Sequence, residues 1–191
     1  DNTPAYPTTF EEIYELGVKL SEYDETKTIL ICSDNQNGGW QFSNFAWNYG
    51  ASLQHVDSDG KVISTLDCNE AVNALSWIQK MKNEGLLLDS TTVLYNDWYD
   101  SIDSKVAMAV VGSDVLHLAS TVGKVNMDDL AFVPMPTGDG IHKYSLYGGT
   151  PYVFSSRATD KQVEGVLKFF EYIGRSPIIS DISKEAMEEG N

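Results

Sequence analysis

The order of elements along the chain predicts an α/β fold, a mixed sheet flanked by helices. Three patterns with capping-box spacing, each followed by apolar residues at helical intervals, predict helices near the start, the middle and the end of the chain. Short apolar, β-branched runs typical of buried strands lie between them. With 191 residues, 42% of them hydrophobic, the chain is long enough to bury a substantial core.

The first helix is predicted from Thr9 to Ser21, because Thr8 and Glu11 have capping-box spacing and apolar residues recur after them at helical intervals. A buried strand follows at Thr28 to Ile31 and leads into a polar, glycine-bearing loop from Ser33 to Gly39. We expect this loop at the carboxyl end of the strand.

Helix and hairpin signals alternate through the middle of the chain. A second helix is predicted from Trp40 to Tyr49, ended by Gly50, and a hairpin from Leu53 to Thr65. A third helix begins at the spacing of Asp67 and Glu70 and ends before Gly85. The later elements expected are a short helix at Asn96 to Ser104, a buried strand at Val106 to Val111, a helix at Val115 to Thr121, strands at Leu130 to Val133 and Tyr152 to Phe154, and a helix capped by Thr159 and Gln162.

The charge balance argues against a polyanionic partner. Thirteen basic and 28 acidic residues give a formal net charge of -15, which repels phosphate backbones, so no nucleic acid is expected. An acidic surface also keeps a secreted protein dispersed, and we expect a monomer. The sequence has no apolar run long enough to span a bilayer and no leader at Asp1, as in a mature or trimmed chain.

Familiar catalytic and metal-binding motifs are missing. The sequence contains no G-x-S-x-G elbow, P-loop, H-E-x-x-H or G-x-G-x-x-G motif. His55, His117 and His142 are scattered without ligand spacing, so neither a metal nor a cofactor is expected. The pattern around Cys32 and Cys68 favours two separate thiols over a disulfide. No catalytic residue is assigned, because Gly112 to Asp114 reads more simply as a helix cap than as a nucleophile loop.

Six stretches occur in an order that is characteristic of one family. They are Pro7 to Ile13, Trp40 to Gly50, Leu66 to Leu75, Ser104 to Met108, Ala131 to Pro136 and Tyr147 to Val153. Together they resemble family 1 extracellular solute-binding proteins of bacterial ABC importers, the group that includes maltose-binding protein. The resemblance covers nearly the whole chain, although Ser104 stands where the family usually has glycine.

The resemblance implies a type II periplasmic-binding fold, of which the chain is mostly the second lobe. Residues 1–131 would form that lobe and residues 132–191 the hinge strand and a returning segment, with the amino-terminal part of the first lobe missing. It further implies a non-enzymatic receptor, periplasmic or anchored outside the cell as a lipoprotein, that captures a sugar or oligosaccharide and delivers it to a membrane permease. Alternatives are a non-catalytic carbohydrate-binding module of a secreted enzyme, or a glycosidase.

The ligand is expected at the carboxyl ends of the strands, on the loops that begin at Ser33, Gly112 and Tyr147. Trp40 and Tyr147 would offer flat faces to a sugar ring, while Asn37 and Asp114 would bond its hydroxyl groups. The full set of predicted ligand-binding residues is Asn37, Trp40, Ser113, Asp114, Tyr147, Gly148 and Gly149.

Each of these assignments has a structural alternative. Trp40 fits a core position as well as a ligand platform, Asp114 fits a helix cap, and the two glycines fit a turn. Many sugar-binding members also carry a tryptophan shortly after the loop glycine, where this chain has Ser113 to Val115. The expected platform is therefore absent at that position.

Overall fold

The computed structural model divides into two compact units, one ending at Tyr147 and the other beginning at Gly148. The described residues are 6–23, 27–33, 37–88, 93–100, 102, 106–113, 115, 126–149 and 152–175. Within them the helices and strands are α1 (Phe10–Ser21), β1 (Lys27–Leu30), α2 (Gly38–Asn48), β2 (Gln54–Val56), β3 (Val62–Ser64), α3 (Asn69–Asn83), β4 (Val106–Ala109) and α4 (Asp160–Tyr172). This alternation confirms the predicted α/β class.

Strand β1 lies at the centre of the first unit. It pairs in parallel with β4, with Ile29 opposite Met108. On its other side, Ile29 forms a parallel bridge to Leu87, just after α3, and its carbonyl accepts the N–H of Leu88 at 3.2 Å. Strands β2 and β3 form the predicted antiparallel hairpin, and Gly60 in its turn has a φ of 78°.

Aromatic rings from α1, α2 and α3 form the centre of the core. The ring of Phe10 lies 5.4 Å from that of Phe45 and 5.0 Å from that of Trp77. The indole N–H of Trp77 donates to the carbonyl of Phe10 at 3.1 Å, so this buried polar group is satisfied. Each aromatic contact of this kind is worth about 0.5–1.5 kcal/mol beyond simple burial. The cluster therefore holds the three helices together.

The capping box of α1 lies one residue later than predicted. The Thr9 hydroxyl accepts the N–H of Glu12, and the Glu12 carboxylate accepts the N–H of Thr9, both at 3.1 Å. Thr9 also forms a parallel bridge with Thr137, which keeps its backbone extended as an N-cap requires. Hydrogen bonds from Thr8 and Thr9 lower the pKa of Glu12.

Helix α3 forms without the capping box predicted from Asp67 and Glu70. Its N-cap is Cys68, which makes no side-chain capping bond, so that part of the prediction is wrong. The helix forms because packing of an apolar face outweighs a cap that contributes only about 1 kcal/mol. Its buried residues are Ala71, Ala74, Trp77 and Met81.

Two elements are shorter than predicted. The expected helix at Asn96 to Ser104 is a 3-10 helix at Tyr95–Asp100. Strand β4 ends at Ala109, two residues early, because the carbonyl of Val110 accepts from a glutamine side chain instead of a neighbouring strand. Most of the predicted helix at Val115 to Thr121 lies outside the described residues.

The strands predicted at Leu130 to Val133 and Tyr152 to Phe154 are wrong. Both stretches are irregular, and Phe132 and Val153 are exposed. An apolar run becomes a strand only where a neighbour completes its hydrogen-bond ladder. The described part of the chain supplies no such neighbour for either stretch.

The second unit contains α4. Its predicted capping box is confirmed, since the Thr159 hydroxyl accepts the N–H of Gln162 and the Gln162 side chain accepts the N–H of Thr159. The ring of Tyr152 lies 4.5 Å from that of Phe170, and its hydroxyl accepts from the Arg175 side chain. The predicted lobe boundary after Ala131 stays a prediction.

Candidate functional site

Strands β1 and β4 end side by side, so the loops after them leave the same edge of the sheet. Val110, the first residue after β4, donates its N–H to the carbonyl of Leu30, the last residue of β1, at 3.1 Å. Helix α2 begins shortly after the loop that follows β1, at Gly38. Open α/β sheets bind their ligands at this kind of edge.

Gln41, on the first turn of α2, joins the two strand ends. Its Oε1 accepts the N–H of Cys32 at 2.8 Å, and its Nε2 donates to the carbonyl of Val110 at 2.5 Å. The side chain is fully buried. Because a buried backbone group without a partner costs about 1–3 kcal/mol, Gln41 strongly favours one arrangement of the two loops.

Asn44 and Asn48, one turn apart on α2, hold the segment that leads to Tyr147. The Asn48 side chain accepts the N–H of Tyr144 at 2.9 Å and donates to the carbonyl of the same residue at 2.8 Å. The Asn44 side chain accepts the N–H of Leu146 at 2.6 Å. Both asparagines are buried. The backbone of the segment is thus attached to α2 by these hydrogen bonds.

A tight turn precedes this segment. The carboxylate of Asp139 accepts the N–H groups of Ile141 and His142, both at 2.8 Å, and the hydroxyl of Thr137 at 3.1 Å. Its other oxygen lies 2.5 Å from Nδ1 of His142. Burial opposes ionisation of Asp139, but these hydrogen bonds outweigh it and hold the pKa of this carboxyl well below its ordinary value.

The turn is docked onto α1 and α2. The carbonyl of Thr137 accepts the N–H of Phe10, and its own N–H donates to the carbonyl of Thr8, both at 3.0 Å. Gly138 lies so close to Tyr49 that a Cβ there would meet the ring at 2.6 Å. A residue with a side chain at this position would push the turn away from α2.

A cavity of about 530 Å³ lies beside the first turn of α2, between that helix, α3 and the end of β1. Its walls are mostly apolar and include Phe42, Leu75 and Leu87, with Ser33 and Lys82 as polar members. None of the predicted ligand-binding residues that the structure describes lines it. The cavity and the predicted aromatic platform are therefore separate features of the same edge.

The predicted residues that the structure describes lie in three stretches of the chain. Asn37 is the N-cap residue of α2, although its side chain makes no capping bond, and Trp40 on the first turn is 39% exposed. Ser113 is exposed after β4, and Asp114 lies outside the described residues. Tyr147, at the end of the first unit, is 94% exposed. The exposed Gly148 and Gly149 belong to the second unit.

Sequence reasoning missed Gln41, Asn44 and Asn48. The prediction of this helix depends on its apolar face alone and assigns no role to its polar positions. A signal was present, because α2 contains no charged residue and its three amides recur at positions i, i+3 and i+7. Uncharged amides at helical spacing are more typical of side chains that bond backbone groups of other segments than of a helix face exposed to solvent.

No metal site or disulfide emerges from the described residues. They contain no group of three metal-ligating side chains. His55 is exposed on β2, His142 pairs with Asp139, and His117 lies outside them. No disulfide joins Cys32, which is buried, and Cys68, which is partly exposed. Among the described helices, none has the length and apolar character needed to cross a membrane.

Comparison with known proteins assigns the chain to a family. Residues 1–176 match the family described as bacterial extracellular solute-binding proteins. The chain therefore belongs to this family, whose members are generally non-catalytic solute-binding components of transporters and whose type II periplasmic-binding fold agrees with the α/β architecture. No curated protein matches the chain.

Proposed function

We propose that this protein is the substrate-binding component of an ABC importer for a sugar or oligosaccharide. It captures the solute in a cleft at the carboxyl edge of the β1 and β4 sheet and delivers it to a membrane permease. It performs no catalysis, acts as a monomer outside the cell, and is anchored as a lipoprotein or free in a periplasm. Segment Ala131 to Pro136 is the proposed hinge of closure.

The exposure of Trp40 supports this proposal. Trp77 and Trp98 are at least 94% buried, whereas Trp40 is 39% exposed at the start of α2, next to the strand ends. The apolar face of an indole at this edge can pack against a sugar ring, which presents an apolar face of matching size. The neighbouring loop residues Asn37 and Ser113 would then bond hydroxyl groups of the solute.

A glycosidase is less well supported. Its general acid needs a raised pKa, so that it stays protonated until it acts. Glu12 and Asp139 do not fit this role, because local hydrogen bonds lower the pKa of both carboxyl groups. Family membership also favours a receptor over an accessory module of a secreted enzyme.

The direct test is calorimetry on the full-length gene product with a panel of probes. The panel contains glucose, xylose, maltose, maltotriose, cellobiose, xylobiose and raffinose, with glycine and dialanine as non-sugar controls. We expect at least one saccharide to bind at micromolar concentration, with no release of monosaccharide on prolonged incubation. Binding of an amino acid or peptide alone would contradict a sugar ligand, and steady hydrolysis would contradict a receptor.

A further inference from the structure

Two buried asparagines place one chain segment in register with a row of side chains on α2. Trp40, Asn44 and Asn48 are spaced four residues apart and therefore lie along one face of the helix. Asn48 bonds the backbone of Tyr144, and Asn44 bonds that of Leu146. Alternate residues of the segment thus meet successive turns of the helix.

The spacings of the two backbones match. Four residues of an α-helix rise about 6 Å, and two residues of extended chain span about 6.6 Å. The segment therefore runs along α2 from Asn48 towards its amino terminus, where Trp40 lies. One residue beyond Leu146, and in the direction of Trp40, the chain reaches Tyr147, whose side chain is 94% exposed.

We propose that Asn44 and Asn48 are positioning residues that hold Tyr147 beside Trp40, so that the two exposed rings form one face for the solute. The inference rests on the proposed function for the identity of the solute, but the placement of the rings does not depend on it. Both asparagines bond only backbone atoms of the segment, so they set its position whatever side chains it carries.

A role in stability alone is the competing explanation. Both asparagines are buried, and removing any buried hydrogen bond destabilises a fold. A positioning role predicts in addition that the distance between the rings increases while the protein remains folded. The test must therefore report on that distance.

Fluorescence quenching measures the distance without a ligand. In the full-length gene product, Cys68→Ser removes the partly exposed thiol, and a bimane label is attached to Tyr147→Cys, since Cys32 is buried. Contact with an indole quenches bimane. We expect quenched emission, severalfold brighter emission with Trp40→Phe, and the same brightening with Asn44→Leu in protein whose circular dichroism shows native helix content.

Matched variants distinguish a change in the placement of residue 147 from a loss of stability of the fold. Ser43→Ala removes a hydrogen bond of 3.2 Å that stays within α2, and it should leave the emission quenched. Asn44→Asp keeps an accepting oxygen and should restore quenching. If Asn44→Leu does not fold, Leu146→Pro deletes the N–H that Asn44 accepts and leaves α2 intact. Two results would contradict the placement of Tyr147 beside Trp40. One is emission that does not change with Trp40→Phe, and the other is emission that stays quenched when the Asn44 hydrogen bond is lost.

Binding of the tightest saccharide in the panel gives the second measurement. Asn44→Leu should weaken it about tenfold, the change that corresponds to one misplaced contact. If Trp40→Ala weakens binding and Asn44→Leu does not, the positioning role is wrong and the proposed function stands. If no saccharide binds but the quenching pattern holds, the placement stands and the sugar ligand is wrong.

Discussion

Helices α2 and α3 pack against the same aromatic core, but they bury different chemistry. The buried residues of α3 are apolar, whereas α2 buries Phe45 and Ala46 together with three amides. The apolar side chains of α3 contribute burial, and the amides of α2 satisfy backbone groups from other segments. Two helices that share one core therefore have different tasks: α3 stabilises the unit, and α2 arranges the loops at the carboxyl edge of the sheet.

The same contrast explains why the buried face of α3 can be predicted from its sequence more easily than the buried face of α2. Along α3 the apolar spacing alone predicts the buried face, because nothing but hydrophobic burial decides it. Along α2 the backbone at Cys32, Val110 and Tyr144 to Leu146 forms hydrogen bonds with side chains of the helix, so a polar face lies inside. Amide side chains on the buried face of a helix indicate that the helix forms hydrogen bonds with the backbone of irregular segments.

The largest effect is expected from Trp77→Ala on α3. The substitution removes a buried indole, its contacts with Phe10 and Phe45, and the hydrogen bond to the Phe10 carbonyl. We expect a loss of about 3–5 kcal/mol in the free energy of unfolding, measured by urea denaturation. Where the variant remains folded, saccharide affinity should be unchanged. A loss of affinity without a loss of stability would break the distinction between the two helices.

Gln41→Leu should affect both properties. It removes the two buried hydrogen bonds of Gln41 to the N–H of Cys32 and the carbonyl of Val110, which costs about 1–3 kcal/mol in the free energy of unfolding. Saccharide affinity should fall as well, because the loops after β1 and β4 lose their common tie. Gln79→Leu, the same change at an exposed position of α3, is the control and should alter neither quantity. Equal effects of the two variants would refute the role of Gln41.

A smaller effect is expected from pH acting on Asp139. Its folded pKa lies below the unfolded value of 3.8, so its charged form stabilises the turn above that pH, and the contribution is lost as the pH falls towards the folded pKa. The carboxylate is partly exposed, which limits the contribution to about 1 kcal/mol. Between about pH 6 and pH 3, the urea midpoint of the wild type should fall further than that of Asp139→Asn. Parallel pH profiles would show that the turn is held by other contacts.

Much of the fold could be predicted from local patterns. The capping box at Thr159 and the left-handed Gly50, Gly60 and Gly85 mark element ends, because each depends on residues close in sequence. The strand predicted at Leu130 to Val133 failed, because strand formation depends on a distant partner.

Some features of the candidate site can likewise be predicted from the local sequence, and others cannot. The edge of the sheet follows from the element order, whereas the place of Trp40 at a loop and helix junction leaves its exposure open in the sequence. The roles of Asn44 and Asn48 depend on residues about a hundred positions away, and nothing in the local sequence specifies those partners.

The exposed indole at the start of α2 is central to the account, and calorimetry of Trp40→Ala tests it most directly. With the full-length gene product and the saccharide that binds best, we predict a loss of about 1–3 kcal/mol in binding free energy, with stability to urea nearly unchanged because the ring is partly exposed. Trp47→Ala, a half-buried tryptophan on the same helix, is the control and should lower stability more than affinity. Unchanged affinity in Trp40→Ala would contradict the account, because the ring would then have no part in binding the solute.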